Sequence, residues 1–159
     1  MSEPANTVTV ELKNGPVIIE LRPDLAPNHV ERILTLSQRG FYDGVPFHRV
    51  IPNFMAQTGD PTGTGSGGSD LPDLKAEFSN EKHVRGTVSM ARTANPNSAN
   101  SQFFICFADA PWLDRQYTVW GKVVSGMEHI DAIKKGGEQN NGAISGEPDR
   151  IVKMRASQG

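Results

Sequence analysis

The chain has 159 residues, enough for one domain that buries roughly 68–70 % of the surface its unfolded form exposes, so a core needs no disulfide staple. A hydrophobic share of 36 % and a charged share of 21 % fit a soluble globular protein, and a net charge of -2 offers no electrostatic footprint for nucleic acid or an anionic membrane. The start, MSEPANT, has neither the basic head nor the apolar stretch of a signal peptide, and no run approaches the roughly 18 apolar residues that span a bilayer. A cytoplasmic protein is expected.

Thr7 to Leu12, TVTVEL, alternates as a strand does. Asn14-Gly15 is a tight-turn signal, and Pro16 to Leu21 reads as a second strand, so an N-terminal hairpin is expected. Pro27 suits a first helical turn, Val30, Ile33, Leu34 and Ser37 fall on one stripe, and Gly40 suits a C-cap, which predicts a helix over Pro27 to Arg39. Six short apolar runs follow, FHRVI, FMAQT, GTVSMA, FFICF, TVWGKVV and RIVKMRA, which with the hairpin make eight candidate strands and an all-β sandwich or barrel. A second helix is predicted after Ser125. Glu128 stands at capping-box spacing, Met127, Ile130 and Ile133 are apolar, Lys134 and Lys135 suit the C-terminal end, and Gly136-Gly137 stops it. Two turn-rich stretches, Gly59 to Asp73 and Ala94 to Ser101, are long enough to frame a site. Met1 to Asn6 and Ser157 to Gly159 read as loose ends of a single domain, 1–159, with its core over about 7–155.

Several constellations are weak. Gly63, Gly65 and Gly68 have the G-x-G-x-x-G spacing, but Pro72 would interrupt a helix starting there and no βαβ alternation surrounds it, so no nucleotide cofactor is expected. His29, His48, His83 and His129 lie far apart and none pairs with Cys106 at a zinc spacing, so no metal is expected. Cys106, inside FFICF, reads as a buried thiol, and a lone cysteine suits a reducing compartment. His48, next to Arg49, reads as a hydrogen-bonded group on the opposite strand face. There is no G-x-S-x-G.

The segment FHRVIPNFMAQ is the informative one. It sets one cation, Arg49, near the apolar pair Phe54 and Met55 and the amide Gln57. Such a surface suits a ligand that is half ring and half carbonyl, as a prolyl peptide is, and works by holding and polarising. Phe103 and Phe104 should face opposite sides of one strand, so one of them faces outward and begins a pocket near Arg49. Trp112 and Leu113 add further apolar surface close to loops.

With these pieces in hand, FHRVIPNFMAQTGDPTGTGSGG, KAEF, GTVSMA, NSQFFICF and WLDRQYTVWGKVVSGM resemble the cyclophilin family of peptidyl-prolyl cis-trans isomerases, over about Thr7 to Arg155. The resemblance implies a mainly β fold, an eight-stranded antiparallel closed barrel capped by two helices. It implies that Arg49 is the catalytic cation, that Phe54, Met55, Phe104 and Leu113 line a proline pocket, and that Gln57 and Gln102 orient Arg49 and the substrate. Ala91 and Arg92 would hold the preceding peptide mainly by their backbone, and Trp112 would wall the groove and favour cyclosporin. Partners would be proline-containing peptides and folding proteins, the chain a monomer, with no cofactor. The sequence departs from animal members at Tyr117, where histidine is common, and at Arg92 and Thr93, where asparagine and a small residue are common. The segment ARTANPNSANSQ is one residue longer, and the compact loop after Gly59 resembles short bacterial members. Whether turnover or proline recognition matters in the cell stays open at this level.

Overall fold

Eight strands form at the expected hairpin and the six short apolar runs: β1 (Thr7–Leu12), β2 (Gly15–Leu21), β3 (Arg49–Ile51), β4 (Met55–Thr58), β5 (Thr87–Met90), β6 (Phe103–Cys106), β7 (Val119–Ser125) and β8 (Lys153–Ala156). Two helices, α1 (Pro27–Gln38) and α2 (Met127–Asp131), and a 3₁₀ turn at Pro111–Leu113 complete the elements. The computed structural model describes residues 7–64, 67–136, 142–144 and 146–156. Gly65 of the glycine spacing, Gly137 and both chain ends, Met1 to Asn6 and Ser157 to Gly159, lie outside the described residues.

The strands form one antiparallel sheet, ordered β3-β4-β6-β5-β7-β2-β1-β8, which curls into a half-barrel. Its two ends meet through the segments ahead of β3 and β8. The Phe47 N–H donates to Asp149 O (2.8 Å), Ile151 N–H to Val45 O (2.9 Å) and Gly44 N–H to Ile151 O (2.6 Å), with Pro46 opposite Arg150. Alternation sends Val8, Val10, Val17, Ile19, Val88, Phe103 and Ile105 inward, around Trp120. Phe103 meets Trp120 and Tyr42 edge-on, with ring centroids 5.4 and 5.5 Å apart.

In the hairpin Leu12 pairs with Gly15, so the two-residue loop is Lys13-Asn14 and Gly15 opens β2. Gly15 has φ +143, and a Cβ there would lie 2.6 Å from the His129 ring.

α1 packs against β7 and β8, burying Val30, Ile33 and Leu36, and Gly40 (φ +72) follows its end. Its stripe also carries a buried cation. Arg32 donates to Pro72 O (2.5 Å) and Asn100 O (3.1 Å), tying the helix to both turn-rich stretches. α2 packs against β2, but the expected capping box does not form. Ser125 is the last residue of β7, paired with Ile18, and Gly126 (φ +85) is the N-cap instead. The sheet takes the residue that local spacing assigned to the helix. At the other end Lys135 Nζ donates to Asp131 O (2.5 Å) and Ile133 O (3.2 Å).

Two buried imidazoles make the fold acid-sensitive. His29 donates its backbone N–H to Glu77 (2.9 Å) and sets Nδ1 2.5 Å from the same carboxylate; His83 sits 3.1 Å from Asp114. Burial holds both below the ordinary 6.5, although the carboxylates oppose it. The unfolded chain therefore binds protons that the folded one refuses, and stability falls as pH drops below about 6.5. The thermal midpoint should therefore drop between about pH 7 and pH 5. Circular-dichroism melts across that range check it, and a flat midpoint contradicts it.

Candidate active site

The register of four strands assembles the site. Arg49 of β3 stands opposite Gln57 of β4, Gln57 opposite Phe104 of β6, and Phe104 opposite Ser89 of β5. These residues form one row on the face away from the main core. The next row on that face sets Ile51 opposite Met55 and Met55 opposite Cys106. Asn53 takes a left-handed turn (φ 62), a conformation asparagine tolerates, and the chain reverses there before Phe54. The 3₁₀ turn at Pro111–Leu113 then lays Leu113 over Met55 and Phe104 in a second, smaller apolar cluster.

The amides that hold Arg49 have only one consistent orientation. Gly67 O can only accept, so it takes Gln102 Nε2 (3.0 Å). Gln102 Oε1 then accepts from Gln57 Nε2 (2.9 Å), and Gln57 Oε1 accepts from Arg49 Nη1 (3.1 Å). The guanidinium is half-buried, and burial pulls its pKa below the ordinary 12.5, with Tyr117 opposing. An arginine stays charged even so. It therefore presents a fixed, partly desolvated cation.

Beside it opens a hollow of about 330 Å³. Met55, Phe104 and Leu113 form its buried lining, at 2 %, 4 % and 7 % exposure. Phe54 and Trp112 make a wall, with ring centroids 5.5 Å apart. Trp112 is 63 % exposed, an unusual position for a tryptophan and one open to a ligand. Tyr117 closes the remaining side, edge-on to Phe104 at 5.7 Å. A cation next to an apolar hollow is the arrangement the segment FHRVIPNFMAQ led us to expect.

The profile "Cyclophilin type peptidyl-prolyl cis-trans isomerase/CLD" matches residues 7–156. The chain belongs to the cyclophilins. It is 59 % identical over 163 residues to a probable peptidyl-prolyl cis-trans isomerase of Brucella suis, covering 96 % of this chain and 83 % of that protein. It is 48 % identical over 133 residues to the peptidyl-prolyl cis-trans isomerase-like 1 of Emericella nidulans, covering 81 % and 82 %. Among solved structures it is similar to a cyclophilin of Hirschia baltica (TM-score 0.83, 30 % identity, 97 % of this chain and 75 % of that one). It is also similar to a Cryptosporidium parvum cyclophilin crystallised in the presence of the dipeptide Ala-Pro (TM-score 0.86, 29 % identity, 96 % and 99 %). The chain is accordingly a peptidyl-prolyl cis-trans isomerase, and the family takes proline-containing peptides.

The cyclophilin groove continues past Arg49. Gln57, Ala91 and Arg92 border the hollow and also a second one of about 440 Å³, whose walls include Gly67, Ser69 and Asp73 from one turn-rich stretch and Ser98 and Asn100 from the other. Gln102 lies in this second hollow and reaches the first through Gln57. Asn100, which sequence reasoning passed over, joins the two stretches. It accepts from Ser69 N–H (2.8 Å) and donates to Leu71 O (2.9 Å). An asparagine in a long loop carries no spacing signal, so nothing in the sequence marked it.

Several expectations are refined. The Ala91 N–H is taken by Gln102 O (3.0 Å), so it is closed to a peptide. Arg92 contributes its side chain as well as its backbone. Nε and Nη2 donate to Gln116 O (3.0 and 2.6 Å), and the guanidinium lies 4.6 Å over the Tyr117 ring. Phe104 does face away from the main core, but Ala110 and Leu113 cover it, so it is buried rather than an exposed aromatic. His48 is not a hydrogen-bonded partner: neither ring nitrogen meets a donor or acceptor among the described residues. Cys106 is buried under the same cluster, and burial pushes its thiol up to about 12, which keeps it unreactive near neutrality.

Proposed function

We propose that this chain speeds rotation about X-Pro bonds by electrostatic stabilisation of the twisted amide, with Arg49 as the catalytic group and no covalent intermediate. The observation that carries the reading is the Arg49–Gln57–Gln102 chain, which fixes a cation at the rim of the Met55, Phe104 and Leu113 hollow.

The planar peptide bond resists rotation by about 18–20 kcal/mol because the nitrogen lone pair is delocalised into the carbonyl. X-Pro bonds populate both isomers yet exchange in roughly tens to hundreds of seconds. At mid-rotation the lone pair returns to nitrogen. A guanidinium aimed at it binds the twisted form better than the planar one, which is the condition for catalysis. A preorganised donor in a dry site is worth about 2.7–4 kcal/mol. The apolar hollow grips the pyrrolidine ring while the peptide on its other side turns. It also disfavours the more charge-separated planar amide.

Phe54, Trp112 and Tyr117 wall the ring site, and Ala91, Arg92 and Gln102 flank the path of the residues before proline. Exposed Trp112 is the contact we expect cyclosporin to use. The substrates we infer are folding proteins, met by a cytoplasmic monomer. A coupled cis-to-trans assay on an X-Pro peptide, with and without cyclosporin, tests the reading. Acceleration that cyclosporin suppresses is the expected result; a rate equal to the uncatalysed one overturns it.

A further inference from the structure

His83 is fully buried and does not line either hollow, yet it touches the supports of the first one on three sides. The 3₁₀ turn that carries Trp112 and Leu113 is pinned to it at both ends. The Ala110 N–H donates to His83 O (2.8 Å). At the other end Asp114 Oδ1 accepts the His83 backbone N–H (2.7 Å) and faces its Nδ1 (3.1 Å). The imidazole also stacks on Phe104, with planes 19° apart and centroids separated by 6.1 Å. Its Nε2 meets Ser89 Oγ (3.0 Å), and Ser89 Oγ lies 2.9 Å from Thr118 O, one residue beyond Tyr117.

Proton accounting defines the state of this group. A carboxylate only accepts, so Nδ1 carries a hydrogen towards Asp114. In the neutral ring Nε2 then accepts, and the single Ser89 proton is shared between Nε2 and Thr118 O. Asp114, His83 and Ser89 follow the order of a hydrolytic relay, but Ser89 is fully buried and cannot meet a substrate carbonyl. The constellation therefore braces rather than attacks.

We propose that His83 is a positioning residue for the isomerisation: through Asp114 and the Phe104 stack it sets the spacing between Leu113 and Phe104 that admits a proline ring. The inference rests on the functional reading above. Arg49 is held from β3 and β4, outside this brace, so loosening it should weaken ring binding without touching the polarising cation.

The test compares Asp114→Ala with Asp114→Asn in steady-state isomerisation of an X-Pro tetrapeptide. Both hydrogen bonds converge on one oxygen, which an amide can still supply. We expect Asp114→Ala to raise KM by about fivefold or more with kcat within about twofold, and Asp114→Asn to recover most of the loss. A second measurement needs no variant. The His83 Nδ1–H resonance of the wild-type protein should shift when the peptide is added, although the ring is buried away from it. An unchanged KM in Asp114→Ala, an equal fall of kcat in both variants, or an unmoved resonance overturns the inference. These outcomes strike it alone when the wild type turns over; a wild type without turnover removes the parent reading and this one with it.

Discussion

Replacing Arg49 with alanine is expected to lower kcat/KM by a factor of about 10² to 10³ while leaving the fold intact. The factor is the about 2.7–4 kcal/mol that one preorganised donor supplies at the transition state. Most of it should appear in kcat, because the ring site of Met55, Phe104 and Leu113 remains. Stability should change little. Arg49 lies in the end strand β3 of the sheet and is half-buried, outside the main core, so its side chain can be removed without opening that core. Arg49→Lys is a useful companion, since a point charge lacks the planar fork that Gln57 orients and should restore only part of the rate. A coupled isomer assay with circular dichroism as the folding control reads both. Near-normal turnover in a folded alanine variant would remove Arg49 from the chemistry.

A large effect on stability is expected from Gly59→Ala. Gly59 has φ +99, a region that costs an ordinary residue about 1–3 kcal/mol. Its Cβ would lie 2.4 Å from Ser101 O and 2.8 Å from Gln102 Cα, both backbone atoms that cannot step aside cheaply. Overpacking of that kind adds about 1–3 kcal/mol. Together they predict a loss of about 2–6 kcal/mol, with a thermal midpoint lower by roughly 4–24 °C. The same wedge would push Gln102 away from Gln57 and so disturb the support of Arg49, and turnover should fall even below the melting range. A variant that melts with the wild type would mean that the β4–β6 junction is looser than its contacts imply.

Residues that obey a local period were legible. The strands around Val8 and Val17 follow alternation, those around Val88 and Phe103 are short apolar runs buried on both faces, and α1 follows its stripe from Pro27. Arg49 with Phe54, Met55 and Gln57 sits within one short segment, so its company could be read directly. Failures occurred where a distant partner outbid a local rule. Ser125 belongs to a sheet ladder with Ile18, and spacing to Glu128 cannot reveal that. The brace between His83 and Asp114 spans 31 residues, and Arg32 reaches 68 residues to Asn100. A buried ionisable side chain looks like a solvated one until its acceptors are brought to it. The proline pocket itself came from motif likeness, since pattern alone offered only a cation near aromatics.

The row from Arg49 through Gln57 and Phe104 to Ser89 has an implication for how the enzyme is born. Its members span more than fifty positions of chain, and β6, made late, slots between β4 and β5. A ribosome that has released only the first hundred residues holds Arg49, Phe54 and Met55 but not Phe104, Trp112, Leu113 and Tyr117, which complete the hollow. Isomerase activity must therefore wait until this chain has nearly finished its own folding.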